Sequence, residues 1–193
     1  AMSPSDPLTV LQESLRGAPV IWKGDYPYFI HPISDGIPRM DADVLRATCD
    51  LIVEMVDWSK VDLLVSVEAM GLPLLAAVGD ATGKPTVVIR KRSYGMEGEV
   101  GVDVSTGYSQ STAYINDIWP GERLLIVDDV ISTGGTLEPL LEALEEMGAV
   151  LQGIIVAIEK GEGRERLARE RPNWPISTLA RIDIVDGKVE IIE

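Results

Sequence analysis

The segment Leu124-Leu125-Ile126-Val127-Asp128-Asp129-Val130-Ile131-Ser132-Thr133-Gly134-Gly135-Thr136 decides the fold of this 193-residue chain. It begins with four consecutive apolar residues, which are typical of a strand buried on both faces of a parallel sheet. Two acids follow at the predicted carboxyl end of that strand, where α/β sheets bind ligands. Leucines then repeat at helical spacing, at positions 137, 140, 141 and 144. The segment therefore predicts a strand, a short turn and a helix, with a ligand site at the turn.

The composition of the turn, residues 132–136, indicates which ligand it binds. Its small, hydroxylated and glycine residues allow a phosphate to approach the backbone N–H groups closely, and the following helix N-terminus favours negative charge. The carboxylates of Asp128 and Asp129 can accept hydrogen bonds from vicinal sugar hydroxyls. Together these features predict a site for a ribose 5-phosphate.

Three other interpretations of the segment compete with this one. Receiver domains of response regulators also carry an acid pair, but near their start and without this glycine turn. A P-loop requires Gly-x-x-x-x-Gly-Lys-[Ser/Thr], and the turn has no lysine. The third alternative is an ordinary solvated turn, for which the complete order of strand, acids, small residues and helix is unusual.

The pattern around this segment predicts an α/β fold. Short apolar runs at Leu63–Val67, Thr86–Ile89 and Ile154–Ile158 alternate with helical stretches, as in a parallel sheet flanked by helices. Residues 92–116, with glycines at 95, 98, 101 and 107, predict a long mobile hairpin or lid. Residues 26–38 are rich in aromatic residues, proline and glycine, and predict an irregular ordered loop. Near the end of the sequence, Asp186-Gly187 indicates a hairpin.

Composition excludes several classes of function. The formal net charge of −14 opposes binding to nucleic acid or to an anionic membrane, and no apolar run is long enough to cross a bilayer. One cysteine allows no intramolecular disulfide and no cysteine-based zinc site. One histidine, without a Gly-x-Ser-x-Gly motif, argues against a Ser-His-Asp hydrolase. The N-terminus lacks the features of a signal peptide, so a cytoplasmic location is expected.

The segment 124–136 resembles the phosphoribosyl pyrophosphate (PRPP) signature of type I phosphoribosyltransferases. The resemblance implies one domain over residues 1–193, with a flexible lid at about 92–116 and a small hood from about 20–40 and the C-terminal segment. It implies catalytic roles for Asp128, Asp129 and Lys91. The ribose and 5-phosphate would be bound by Asp128, Asp129, Ser132, Thr133, Gly134, Gly135 and Thr136.

Two further segments resemble the family's pyrophosphate site. The turn Glu68-Ala69-Met70-Gly71 follows a predicted strand, and Arg90-Lys91 follows the next one. The resemblance implies that Glu68, Ala69, Met70, Gly71, Arg90 and Lys91 bind pyrophosphate. Many adenine enzymes have an arginine where this chain has Met70, so one charged contact is missing. An ordinary turn and a solvated cluster of cations are the alternatives.

Over its whole length the chain most resembles archaeal-type hypoxanthine/guanine phosphoribosyltransferases, which are built like adenine enzymes. The implied base-binding residues are Phe29, Glu159 and Lys160, since a lysine can donate to a 6-oxo group. Gly107-Tyr108-Ser109 departs from the Glu-Tyr-Gly of adenine enzymes, which argues against adenine. Human-type enzymes carry an aspartate where this chain has Ser132, so the group that accepts the purine proton stays open.

The predicted function is purine salvage, in which PRPP and hypoxanthine or guanine give IMP or GMP and pyrophosphate. The resemblance implies Mg²⁺ as cofactor, with no protein ligand assigned to it, and a homodimer. Adenine or xanthine stays open as the base. A PRPP-sensing transcriptional regulator of the same fold is the alternative from another class, and the acidic charge opposes it.

Overall fold

The structure, a computed structural model, describes residues 6–105 and 110–192, and a six-stranded sheet forms its centre. The sheet strands are β3 (Leu63–Val67), β4 (Thr86–Ile89), β7 (Arg123–Ile131), β8 (Val150–Lys160), β9 (Ile176–Val185) and β10 (Lys188–Ile192). Their spatial order is β10-β9-β8-β7-β3-β4. All neighbours pair in parallel except β10, which pairs antiparallel with β9. This arrangement confirms the α/β fold predicted from the apolar runs.

Helices cover both faces of the sheet. They are α1 (Pro7–Arg16), α2 (Pro32–Asp35), α3 (Ala42–Met55), α4 (Gly71–Thr82), α5 (Leu137–Glu146) and α6 (Gly163–Glu170), with a 3-10 turn at Trp58–Lys60. Leu125 and Val127 belong to the apolar cluster that includes residues of α1, α3 and α4, whereas Leu124 and Ile126 belong to the cluster that includes residues of α5 and α6. This alternation explains why the start of β7 is apolar at every position.

Two hairpins stand outside the central sheet. The first joins β1 (Val20–Lys23) to β2 (Tyr26–Phe29), and the second joins β5 (Val100–Ser105) to β6 (Gln110–Ile115). The β5–β6 hairpin is not held by its ends alone, because its inward side chains are buried in the core: Val102, Val104, Ala113 and Ile115. Gly107, Tyr108 and Ser109, on which the argument against adenine depends, lie outside the described residues.

Two local expectations differ from the structure. Residues 26–38, expected to be irregular, contain strand β2 and the short helix α2. Strand β2 has four residues, Tyr26-Pro27-Tyr28-Phe29, which are too few to show a period in the sequence. Strand β7 also continues beyond the expected end at Val127, as far as Ile131, because its carboxyl end still pairs with β8. The C-terminal hairpin at Asp186-Gly187 is confirmed, and both turn residues have positive φ.

Within residues 6–105 and 110–192, none of the helices combines the length and apolar character required to span a membrane.

Candidate active site

A cavity of about 330 Å³ opens at the carboxyl ends of β3, β7 and β8. Parallel strands end at a common edge, so residues distant in sequence meet there. The cavity is bordered by the β3–α4 turn (68–71), by the β7–α5 loop (132–136), and by both hairpins. Most of the predicted site residues line it: Phe29, Glu68, Ala69, Met70, Lys91, Asp128, Asp129, Ser132, Thr133, Gly134, Gly135, Thr136 and Lys160. The structure therefore brings together side chains that are as far apart in sequence as Phe29 and Lys160.

The β7–α5 loop is held from outside by its carbonyl oxygens. The carbonyl of Ser132 accepts from Gly163 N at 2.9 Å, and that of Thr133 accepts from Arg166 Nη2 at 3.2 Å. The carbonyl of Gly135 accepts from Ser105 N at 3.0 Å. In a trans peptide the next N–H points away from the carbonyl. The N–H groups of Thr133 and Gly134, which follow the carbonyls held by α6, therefore point away from α6, as a phosphate cradle requires, whereas Gly135 N donates to Thr133 Oγ1 at 3.2 Å.

Close packing around this loop explains two of its glycines. A Cβ atom on Gly135 would lie 2.6 Å from Ser105 Oγ, which belongs to the β5–β6 hairpin. Gly134 has a φ of +82° and lies against Leu167 and Arg166 of α6. A side chain at either position would push the loop away from its supports.

Asp128 and Asp129 belong to the carboxyl-terminal part of β7, and both line the cavity. Asp129 N donates to Asp128 Oδ1 at 2.9 Å. Burial raises the pKa of Asp128, and burial together with the neighbouring Asp128 charge raises the pKa of Asp129 well above its ordinary value. The pair therefore holds a proton more tightly than a solvated pair would, and a polyhydroxyl ligand or a cation would favour its ionised form.

The β3–α4 turn lies directly beside this acid pair. A Cβ atom at Gly71 would overlap Ser66 Oγ and lie 3.1 Å from Asp128 Oδ1, so only glycine allows α4 to begin so close to β7. The Glu68–Ala69 peptide bond is cis. The first turn of α4 has no side-chain cap, but Leu72 N donates to Ala69 O at 3.3 Å and Pro73 has no N–H, so Gly71 N is the group of this turn that an anion near Asp128 could meet.

The two predicted cations after β4 occupy different places. Lys91 lines the cavity, whereas Arg90 forms an ion pair with Glu68, 2.9 Å between Nε and Oε2. The Glu68 carboxylate also accepts from Lys91 N. Glu68 therefore positions the chain that carries Lys91, and Arg90 does not border the cavity in this structure.

At the far end of the cavity, Lys160 and Glu159 point in opposite directions because neighbours on a strand alternate. Lys160 Nζ donates to Pro27 O at 2.6 Å and lies 3.9 Å above the ring of Tyr26. The Glu159 carboxylate instead faces α6, where Arg164 Nε lies 2.6 Å away. Glu159, expected at the base site, is not among the residues that line the cavity.

Comparison with known proteins identifies this arrangement. The phosphoribosyl transferase domain family matches residues 37–171, which include the β3–α4 turn, the acid pair and the β7–α5 loop. The chain belongs to the phosphoribosyltransferase family. Among its relatives is the hypoxanthine/guanine phosphoribosyltransferase of Methanocaldococcus infernus, 49% identical over 181 residues, or 94% of this chain and 98% of the relative. The enzyme of the same name from Ferroglobus placidus is 46% identical over 96% of this chain and 98% of its own length.

Solved structures agree on the fold of this phosphoribosyltransferase. The adenine phosphoribosyltransferase of Thermoanaerobacter pseudethanolicus has a TM-score of 0.74 at 22% identity, covering 90% of this chain and 99% of that chain. That of Rhodothermus marinus has a TM-score of 0.74 at 24% identity, covering 91% and 98%. The adenine-enzyme-like build expected from the sequence is thus confirmed.

Sequence reasoning missed several residues at the site of this phosphoribosyltransferase. Tyr26, Ser105 and Ser111 line the cavity, and Gly163 and Arg166 support the β7–α5 loop from outside. The spacing of Gly161 and Gly163 directly after Lys160 was the one sequence signal for that support. The other residues belong to hairpins or helices whose placement depends on the tertiary structure.

Proposed function

We propose that this phosphoribosyltransferase transfers the 5-phosphoribosyl group of PRPP to hypoxanthine or guanine, giving IMP or GMP and pyrophosphate. The observation that carries this proposal is the position of the Lys160 amine, inside the cavity that the β7–α5 loop closes at its other side. An ammonium group donates hydrogen bonds and accepts none, so it suits a 6-oxo group and disfavours the 6-amino group of adenine. The names of the relatives agree with this choice.

PRPP would bind along the cavity with its 5-phosphate in the β7–α5 loop. The N–H groups of Thr133 and Gly134 and the α5 N-terminus suit a phosphate dianion. The Asp128 and Asp129 carboxylates would then meet the two ribose hydroxyls, which can donate hydrogen bonds to them. Binding of PRPP would therefore favour the ionised form of the pair.

The pyrophosphate would lie over the β3–α4 turn. Its negative charge would meet the N-terminus of α4 and the Lys91 ammonium group, and charge on the leaving oxygen grows as the C1′–O bond breaks. In the same step a ring nitrogen of the purine bonds to C1′, and the base loses its N–H proton. Catalysis would come from positioning and charge stabilisation rather than from a protein nucleophile.

Mg²⁺ fits these residues in a limited way. Residues 6–105 and 110–192 contain no group of three or more acidic, histidine or cysteine side chains able to hold a metal ion. Mg²⁺ often takes one or two carboxylates and completes its shell with substrate phosphates and water. Asp128 and Asp129 are the residues that would approach it, and when bound it would neutralise charge on pyrophosphate. Removal of Mg²⁺ with EDTA is expected to abolish turnover, and excess Mg²⁺ to restore it.

The remaining features of the proposal come from the family resemblance. They are a homodimer, a cytoplasmic location, residues 92–116 as a lid, and residues 20–40 with the C-terminal segment as a hood. The inner face of the described β5 and β6 strands is buried in the core, which opposes displacement of these two strands as a whole. Gel filtration with multi-angle light scattering tests the homodimer, for which the expected molar mass is twice the 21.0 kDa of one chain.

The test of the function is pyrophosphate release from PRPP and Mg²⁺, with hypoxanthine, guanine, xanthine and adenine offered separately. Release with hypoxanthine and guanine is the expected result. Release with adenine alone would keep the reaction but overturn the assignment of Lys160. If the protein binds PRPP but releases no pyrophosphate with any of the four bases, the function is instead that of a PRPP-sensing regulator.

A further inference from the structure

Glu159 holds a buried charge directly behind the candidate active site. Its side chain is 1% exposed, and Oε2 accepts from Arg164 Nε at 2.6 Å and from Thr178 Oγ1 at 2.8 Å. Oε1 accepts no hydrogen bond within the described residues, and Arg181 Nε lies 3.7 Å from it. A buried carboxylate is costly without partners. Its position therefore depends on Arg164 and Thr178.

The residues that follow Glu159 form a corner, residues 160–164, between β8 and α6. Lys160 enters the cavity at the start of the corner, and Arg164 returns to Glu159 at its end. Between them, Gly163 N donates to the carbonyl of Ser132, and a Cβ atom on Gly163 would overlap that carbonyl. One short segment thus carries the proposed base contact and one support of the β7–α5 loop.

The ion pair closes this corner. Glu159 precedes the corner and Arg164 is its last residue, and their side chains meet on the face opposite the cavity. Opening the pair would detach the first turn of α6 from β8, while Gly163 and Arg166 would still join it to the β7–α5 loop, so the turn and the loop would move together. The position of the Ser132 and Thr133 carbonyls would shift with it, and so would the N–H groups on the other side of those peptides.

We propose that Glu159 is a positioning residue, whose ion pair with Arg164 sets the distance between Lys160 and the β7–α5 loop and so aligns the purine with the sugar carbon of PRPP. The proposal rests on the proposed function for the role of Lys160, but its effect on the β7–α5 loop concerns PRPP alone. Transfer between two bound groups is sensitive to displacements of about 1 Å, which can lower the rate by about 100-fold.

The experiment compares Glu159→Gln and Arg164→Gln with a matched control, Arg169→Gln. Arg169 is an exposed residue in the last turn of α6, away from the corner. Steady-state kinetics with each substrate varied, PRPP calorimetry and thermal unfolding are measured for all variants. Glu159→Gln and Arg164→Gln are expected to raise the KM for PRPP about 10-fold and to lower kcat by a similar factor. Arg169→Gln is expected to retain wild-type kinetics.

Other outcomes separate positioning from a purely structural role. A lower melting temperature with unchanged KM for PRPP and unchanged PRPP affinity in both variants would overturn the proposal. An equal rise in the KM for PRPP in Arg169→Gln would also overturn it, since loss of a charge elsewhere on α6 would then have the same effect. If Glu159→Gln does not fold, Arg164→Gln and Thr178→Val decide by the same criterion. Calorimetry with PRPP still tests the loop if no base is turned over, so failure of the proposed function is recognised separately.

Discussion

The hydroxyl of Tyr26 lies 3.3 Å from Ser132 Oγ, so the β1–β2 hairpin touches the β7–α5 loop across 106 residues of sequence. The same phenol ring lies under the Lys160 amine. Hydrogen bonds to Lys160 and Ser132 outweigh burial and lower the pKa of Tyr26. Tyr26 thus connects the proposed base end of the cavity with the proposed phosphate end.

Replacing Tyr26 by Phe removes the hydroxyl and keeps the ring. A hydrogen bond of this kind contributes about 0.5–1.5 kcal/mol, so we expect the KM for the purine to rise about 3- to 10-fold. Trp22→Phe is the control, because Trp22 lies on the same hairpin and is 62% exposed. The KM is measured from initial rates with hypoxanthine varied. A wild-type KM in Tyr26→Phe as well as in Trp22→Phe would contradict a role for the Tyr26 hydroxyl at the base site.

Lys160→Met tests the proposed reading of the 6-oxo group. A buried site built for a hydrogen bond rejects partners that cannot make it, so we expect kcat/KM for hypoxanthine and guanine to fall about 100-fold. The affinity for PRPP should change little, because Lys160 lies away from the proposed phosphate end. Lys188→Met, at an exposed position of β10, is the control. If Lys160→Met keeps the wild-type kcat/KM with both hypoxanthine and guanine, the assignment of Lys160 to the base site is wrong.

Asp129→Asn should lower activity and raise stability together. The raised pKa means that the folded protein binds this proton more tightly than the unfolded chain. The wild-type free energy of unfolding therefore falls as the pH rises through the raised pKa, and asparagine removes this dependence. We expect pyrophosphate release to fall about 100-fold.

Thermal unfolding between pH 5 and pH 8 measures this effect. The melting temperature of Asp129→Asn should exceed that of the wild type at the upper end and approach it at the lower end. Asp50→Asn, at an exposed position of α3, should follow the wild type throughout. A variant less stable than the wild type at pH 8, with near-normal activity, would contradict the assignment of the acid pair.

Gly163→Ala places a methyl group against the Ser132 carbonyl. The β7–α5 loop would have to move, so we expect the KM for PRPP to rise about 10-fold or more. Gly17→Ala is the control, because no atom lies within 4 Å of a Cβ at that position and its φ is −88°. PRPP calorimetry measures the effect directly. Unchanged PRPP affinity in Gly163→Ala would show that α6 does not position the loop.

His31 should destabilise the protein in acid. Its Nδ1 accepts from Ile33 N, and its Nε2 therefore carries the proton, which it donates to Ser14 Oγ at 3.0 Å. Burial lowers the pKa of His31 to about 4, although Asp35 acts in the opposite direction. The unfolded chain binds the proton more tightly, so this contribution to stability is lost as the pH falls from about 6.5 towards about 4.

The two titrations oppose each other, so the histidine is best measured in the Asp129→Asn background. Denaturant unfolding at pH 7.5 and pH 5 should show a smaller loss of stability for the variant that also carries His31→Asn, since asparagine can cap α2 without a titrating ring. An equal loss with and without His31 would assign the acid sensitivity to other groups.

The sequence by itself determined that the segment 124–136 forms a strand and a turn that leads into a helix, with an acid pair at the end of the strand. This was possible because the apolar run, the acids and the small residues are consecutive in the chain. The sequence also indicated the parallel sheet and the C-terminal hairpin, whose patterns are local. The tertiary structure alone decided that Glu159 faces α6, that Arg90 binds Glu68, and that Tyr26 reaches Ser132. Those contacts depend on strand register and on how hairpins and helices pack over long separations, and local sequence preferences do not encode that packing.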